Sequence, residues 1–323
     1  MMNQDFKNRF NEWVKQKRAF LFLIDFEQEN PLIFIPDEAF AQHIYFDFKG
    51  KKNLIYPNAF KALEPLNFMP VSKDFFSTSF QLVQQHLQKG DTYLLNLTFQ
   101  TPVSLKNSLK DVFIGAKAPY KLYFKDEFVC FSPETFIQIK GDKITTYPMK
   151  GTIDASIPEA EKILLNNQKE YYEHNTIVDL LRNDLAMVAR NISVERFRYV
   201  DTIHTPTHTL LQVSSEIAGE LPHNWRDNAV EIFEKLLPAG SVSGAPKQKT
   251  MEIIQQAESS KRGYYTGIAG YFDGKNFDTA VLIRFLEKNE NGMFYRSGGG
   301  VTALSNLDDE YNELNQKIYV PTD

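Results

Sequence analysis

YKLYFKDEFVCFSPETFIQIKGDKITTYPMKG, residues 120–151, is the stretch that decides the fold. YKLYF (120–124), FVCFSP (128–133), TFIQIK (135–140) and KITTYPM (143–149) are short runs of aromatic and β-branched residues bounded by turn residues, the pattern of strands. Gly141-Asp142 stands between the last two, so neighbouring strands are expected to fold back on one another as antiparallel hairpins. Near its end the stretch carries one lysine, Lys150, beside Pro148, Met149 and Gly151. A lysine there is either a solvated turn residue or a nucleophile.

Upstream, residues 1–75 alternate short apolar strands (FLFLIDF, LIFIP) with polar loops and are expected to complete a sheet. SFQLVQQHLQK (79–89) places apolar residues at helical spacing with Gly90 as its stop, and TYLLNLTFQT (92–101) reads as a strand. Downstream, Ser156 and Glu159 stand at capping-box spacing around Pro158 and open a helix running past Leu185, with a break expected at Asn166-Asn167. Strand VERFRYV (194–200), a segment ending QVSSEIAGEL, a helix over 228–237, the loop PAGSVSGAPK (238–247) and a helix through 257 follow. GYYTGIAGYF (263–272), TAVLIRF (279–285) and GMFYRS (292–297) read as strands, the last two joined at Asn291-Gly292. The run GGG (298–300) then leads into a closing helix over 308–319. No internal repeat, low-complexity tract or linker divides the chain, which predicts one α+β domain spanning 1–323.

Composition narrows the function classes. With 36 Lys+Arg against 41 Asp+Glu the formal charge is -5, which leaves no excess positive charge for a phosphate backbone, so nucleic acid is not an expected partner. One cysteine, Cys130, can form neither an internal disulfide nor a cysteine-based zinc site, and the six histidines show no metal-ligand spacing. No signal-like start and no bilayer-length apolar run appears, so the expectation is a cytoplasmic protein without a membrane partner.

Several segments carry candidate chemistry. In KEYYEHNTIVDLLRNDL (169–185), Glu173, Ile177, Leu180 and Asp184 share one helical face, so a carboxylate sits in an apolar stripe. Glu173 is either paired with Arg182 or Lys169 or, with Glu310 and Glu313 of the closing helix, part of an oxygen set suited to Mg²⁺. PAGSVSGAPK lacks the glycine and lysine positions of a P-loop, yet Gly240, Gly244 and its serines let backbone N–H groups approach an anion, with Lys247 adding charge. GGG is either a plain turn or an anion site before a helix N-terminus. Arg284, within the apolar TAVLIRF, is either a structural ion pair or a substrate clamp, and Tyr265 in YYTG is equally core or site.

Taken together, GDTYLLNLTF, FSPETFI, YPMKGT, KEYYEHNTIVDLLRNDL, PAGSVSGAPK, RGYYTGIAGYF, DTAVLIRF and GGGVTALSNLDDEYNEL resemble the chorismate-utilising enzymes, in the family's order, across about residues 75–318. The resemblance implies two stacked, mainly antiparallel sheets flanked by helices, with the site between them, and residues 1–74 as a shortened N-terminal sheet region lacking the LLES-type tryptophan-binding motif. It implies chorismate as substrate, Mg²⁺ held by Glu173, Glu310 and Glu313, and Glu134 as general acid/base. Thr152, Gln212, Ser243, Gly244, Lys247, Tyr265, Arg284, Gly298, Gly299 and Gly300 would bind the substrate.

The family divides at Lys150. Anthranilate synthases resemble PIAGT there and aminodeoxychorismate synthases PIKGT, and this chain has PMKGT. The resemblance therefore implies attack of Lys150 on C2 as the C4 hydroxyl leaves, then ammonia at C4, giving 4-amino-4-deoxychorismate for 4-aminobenzoate and folate synthesis. Gln212, where anthranilate synthases resemble HLVS, points the same way. Leu94 departs from the family's more frequent glutamine. For attack the Lys150 amine must be neutral, which predicts a pKa below its ordinary value. Cys130 lies in a strand pattern rather than a glycine-rich nucleophile turn, so ammonia is expected from a separate glutamine amidotransferase or from solution. The competing readings are an anthranilate, isochorismate or salicylate synthase, and, from another class, a non-catalytic binding homologue.

Overall fold

The computed structural model describes residues 2–57, 61–204 and 209–322. Phe6, Phe10, Trp13 and Val14 recur at helical spacing, and Gln4–Lys15 forms α1, capped by the Asn3 side chain. This helix adds to the strand-and-loop alternation expected there. β1 (Phe20–Ile24), β2 (Leu32–Phe34), α2 (Pro36–Ala41), β3 (Ile44–Phe48), β4 (Lys51–Lys52) and β5 (Asn67–Phe68) follow. α3 (Lys73–Lys89) stops at Gly90, whose φ of +78° is the left-handed cap that glycine accepts. Then come β6 (Leu94–Ser104), α4 (Leu109–Gly115), β7 (Tyr120–Phe124), β8 (Phe128–Ser132), β9 (Thr135–Lys140), β10 (Lys143–Thr146) and β11 (Met149–Asp154). The helix past Leu185 breaks as expected, into α5 (Ala160–Asn166) and α6 (Gln168–Ala186). β12 (Arg190–His204), β13 (Thr209–Glu220), α7 (Val230–Leu236), β14 (Gly244–Ala245) and α8 (Lys247–Ala257) form the next block. β15 (Ile268–Phe272), β16 (Phe277–Val281), β17 (Phe285–Asn289), β18 (Gly292–Val301) and α9 (Leu307–Gln316) complete the order.

Two sheets result, and every described pairing in them is antiparallel. The first runs β11-β13-β10-β9-β16-β15-β1-β2 with β12 on β13, and the second β14-β6-β18-β17-β8-β7-β3-β4 with β5 on β6. β1 shows why they stack. All five of its residues are buried, with Phe20, Phe22 and Ile24 in the core under α1 and α7. Leu21 and Leu23 join Phe46, Phe48, Leu122 and Phe285 between the sheets. Among the described residues no helix is long and apolar enough to cross a membrane.

Stretch 120–151 folds as hairpins, but its two halves belong to different sheets. β7 and β8 pair in the second, β9 and β10 in the first, so the chain crosses at Pro133-Glu134. A second crossing runs from β16 to β17 through Leu282, Ile283 and Arg284. TAVLIRF is therefore not one strand, and Arg284 sits at the crossing with φ +55°. The crossings lie side by side, since Val281 N–H donates to the Glu134 carbonyl (3.2 Å) and Phe131 N–H to that of Arg284 (3.1 Å).

Three further expectations are corrected. GGG is no helix entrance, because Gly298, Gly299 and Gly300 lie inside β18 opposite Thr98, Leu97 and Asn96. α9 starts only after Asn306, whose side chain caps it. Ser156 and Glu159 form no capping box: Glu159 is itself the N-cap, in a left-handed conformation without a side-chain cap bond, and Ser156 N–H bonds back to Asp154. The 264–267 part of GYYTGIAGYF is a turn rather than strand.

A buried ion pair fixes the neighbouring loops. Arg262 and Glu258 side chains are 1% and 5% exposed, and the guanidinium also donates to the carbonyls of Val242 (2.7 Å) and Asn96 (2.6 Å). Glu258 in turn accepts from Thr98 N–H and hydroxyl. Removing one partner strands the other charge in the interior, so Glu258→Ala should destabilise the fold by about 3–5 kcal/mol, read as a lower denaturant midpoint. Retention of the wild-type midpoint would contradict this role.

Candidate active site

Between the sheets lies a cavity of about 570 Å³, within the size range of small-molecule sites. Its walls include Leu94, Asn96, Glu134, Phe136, Met149, Lys150, Glu173, Ile177, Gln212, Gly244, Tyr265, Arg284, Gly298, Gly300 and Lys317. Glu134 and Arg284, the crossing residues, enter it together. β11 explains the lysine. Its register against β13 shifts between Lys150 and Thr152 around Gly151, whose φ is +76°. Such a bulge re-aims the side chain beside it, here Lys150 into the cavity.

Lys150 Nζ lies 2.8 Å from a carboxylate oxygen of Glu173 on α6. The bland partner Arg182 instead pairs with Asp179, and the Lys169 side chain lies outside the described residues. Burial pushes the Lys150 amine down, but Glu173, Glu313 and Glu170 outweigh it and hold its pKa above the ordinary lysine value. The expected depressed amine is thus corrected, because carboxylates surround it rather than cations. Glu134 behaves in the opposite sense to an ordinary surface acid. Burial raises its pKa, only partly countered by the Ser241 hydroxyl at 2.5 Å and by the charges of Arg284 and Lys317.

The carboxylates come from two helices. Glu310 and Glu313 stand over Gly299, where a Cβ would meet their oxygens at 3.3 and 3.7 Å. Glu310 accepts from the Ser305 hydroxyl and Glu313 pairs with Lys317 (2.7 Å). Among the described residues no three acidic, histidine or cysteine side chains are already gathered as a metal cluster. Lys150 and Lys317 balance the carboxylates instead.

The sequence-derived binding residues divide. Gln212, Gly244, Tyr265, Arg284, Gly298 and Gly300 line the cavity, whereas Thr152, Ser243, Lys247 and Gly299 do not. Thr152 is exposed on β11. Ser243 is fully buried and its hydroxyl donates to the Ala239 carbonyl, fastening the turn. Lys247 binds Asp184 (3.2 Å) and the Leu236 carbonyl (2.8 Å), tying α8 to α6 and α7. Gly244 must be glycine, since its φ is +129° and a Cβ would fall 1.9 Å from the Leu94 carbonyl oxygen.

Sequence reasoning passed over Lys317, Glu170, Ser241 and Arg296. Lys317 follows Glu313 by four residues and so reads as a surface ion pair, yet its amine lines the cavity and donates to the Gly298 carbonyl. Burial depresses its pKa, with Lys150 and Arg284 adding to the effect against the pull of Glu313. Glu170 lies one turn before Glu173 and touches the bulge, for a Cβ on Gly151 would meet its oxygen at 2.9 Å. That i, i+3 spacing was the available signal.

A model of the chorismate binding enzyme family matches residues 52–323. The chain is 52% identical over 321 residues to an uncharacterized PabA-like protein of Haemophilus influenzae, covering 98% of this chain and 97% of that one. It is 32% identical over 267 residues to aminodeoxychorismate synthase component 1 of Bacillus subtilis, covering 77% of this chain and 55% of that relative. Its structure superposes on anthranilate synthase component I from Streptococcus pneumoniae with a TM-score of 0.69 at 26% identity, over 82% of this chain and 62% of that one.

An acid whose folded pKa is raised contributes stability below its unfolded value, near 4.5, and loses it as pH rises through the folded value. Glu134→Gln should therefore raise the melting temperature at neutral pH by about 1–3 °C, with the gain disappearing below about pH 4.5. Thermal melts across pH check this; an equal shift at every pH would contradict it.

Proposed function

We propose that this chain, which belongs to the chorismate-binding enzyme family, is an aminodeoxychorismate synthase component I that converts chorismate and ammonia to 4-amino-4-deoxychorismate and water. The observation carrying the reading is Lys150, turned by a bulge into a cavity that also holds Glu134, a carboxyl whose pKa burial raises. Neutral Lys150 Nζ forms a bond to C2, both conjugated ring double bonds shift one place, and the C4 hydroxyl departs as water with a proton from Glu134. Ammonia then bonds to C4 and returns a proton to Glu134, both double bonds shift back, and the C2–Nζ bond breaks to release the neutral amine. Lys150 thereby blocks C2 against ammonia and directs it to C4.

The substrate's carboxylates are matched by Arg284, whose Nε has no hydrogen-bond partner, and by Lys317. Tyr265, 3% exposed, with Gln212 and the glycines of β18 completes the grip. The carboxylates of Glu173 and Glu170 on α6, and of Glu310 and Glu313 over Gly299, would hold Mg²⁺, being hard oxygen donors of the kind it takes. When bound there, Mg²⁺ would neutralise a substrate carboxylate and take up the negative charge now facing Lys150. Glu173, whose carboxylate oxygen lies 2.8 Å from Lys150 Nζ, is the group placed to receive the amine's proton. Ammonia comes from a separate glutamine amidotransferase or from solution, and the setting is cytoplasmic.

The test is product analysis by chromatography with chorismate, an ammonium salt and Mg²⁺. Wild type should form 4-amino-4-deoxychorismate, and Lys150→Ala should lose it by at least about 10²-fold or shift amination to C2. Anthranilate or isochorismate from the wild type would overturn the reading while leaving the family membership standing.

A further inference from the structure

Arg284 is a half-buried cation whose side chain makes no ion pair among the described residues. Its main chain is pinned at the sheet crossing through the carbonyl that accepts from Phe131. Its side chain lies elsewhere, with the guanidinium carbon 5.2 Å from the centre of the Tyr319 ring. Tyr319 follows α9, and its backbone is anchored on both sides. The Tyr295 hydroxyl donates to the Tyr319 carbonyl (2.9 Å), Lys117 N–H donates to that of Pro321 (2.8 Å), and Ile318 is buried. The ring itself is 45% exposed, so core burial does not account for its placement.

We propose that Tyr319 is a positioning residue, whose anchored ring face holds the Arg284 guanidinium with its donors turned to a substrate carboxylate. The inference rests on reading Arg284 as the carboxylate clamp. A carboxylate in place of Tyr319 would occupy the N–H groups and compete with the ligand. A ring face attracts the cation, and the neutral Tyr319 hydroxyl within hydrogen-bonding reach takes at most one guanidinium N–H, leaving the rest of that edge open. Arginine has a long, rotamer-rich side chain, so holding it before the ligand arrives lowers the ordering cost of binding.

Chorismate affinity by calorimetry and steady-state kinetics test this on Tyr319→Phe, Tyr319→Leu and Arg284→Lys. Tyr319→Phe keeps the ring, loses only the hydroxyl contact, and should bind within about threefold of wild type. Tyr319→Leu should raise Kd and KM on the order of tenfold, with kcat within about twofold, because the carboxylate is gripped alike in ground and transition states. In the Arg284→Lys background the Tyr319→Leu effect should shrink, since the two residues act as a unit. Tyr319→Leu with unchanged Kd, or the same loss in both backgrounds, overturns the positioning role. A wild type that neither binds nor converts chorismate instead overturns the reading of the site, and this inference with it.

Discussion

The chain passes between its two sheets twice, side by side, and the site depends on that constraint. At both crossings the backbone must leave one hydrogen-bonding ladder and enter another, and the two segments satisfy each other through Val281 to Glu134 and Phe131 to Arg284. The side chains at the crossings then have no sheet face to occupy and point into the gap. An acid and a cation are thereby delivered to one cavity from residues 150 positions apart in sequence. Around them, Arg262 ties the Asn96 and Val242 backbones to Glu258, so the walls are fixed from behind.

Charge balance sets what the cavity can do. Lys150 and Lys317 stand among carboxylates from α6 and α9, and burial makes each unneutralised charge costly. The lysine is therefore held protonated by its carboxylate neighbours. For Glu134, in contrast, burial raises the carboxyl's pKa against the pull of Ser241, Arg284 and Lys317. The opposite behaviour of the two groups is thus set by their neighbours.

Much of the fold was legible in residues 120–151, because strand alternation and Gly141-Asp142 are local signals. The crossing at Pro133-Glu134 was not, since membership of different sheets is settled by pairings with β16 and β17, far along the chain. α1 was legible in the spacing of Phe6, Phe10, Trp13 and Val14 but was hidden beside the stronger strand pattern that follows it. Lys150, Glu173 and Arg284 were singled out from local pattern and Glu134 from the resemblance, and all four line the cavity, whereas Lys317 was masked by an ordinary helical pair with Glu313. Lys247 and Ser243, chosen for their glycine-rich context, turned out to fasten helices and a turn. Short-range patterns do not reveal which way a loop residue faces.

The most direct test of the Lys150 account is mass spectrometry of protein acid-quenched during turnover of chorismate with Mg²⁺ and limiting ammonia, followed by peptide mapping. The account predicts a chorismate-minus-water adduct on the peptide containing Lys150, which disappears when ammonia is added in excess. Steady formation of 4-amino-4-deoxychorismate with no adduct at any quench time, and with product still formed by Lys150→Ala, would contradict it.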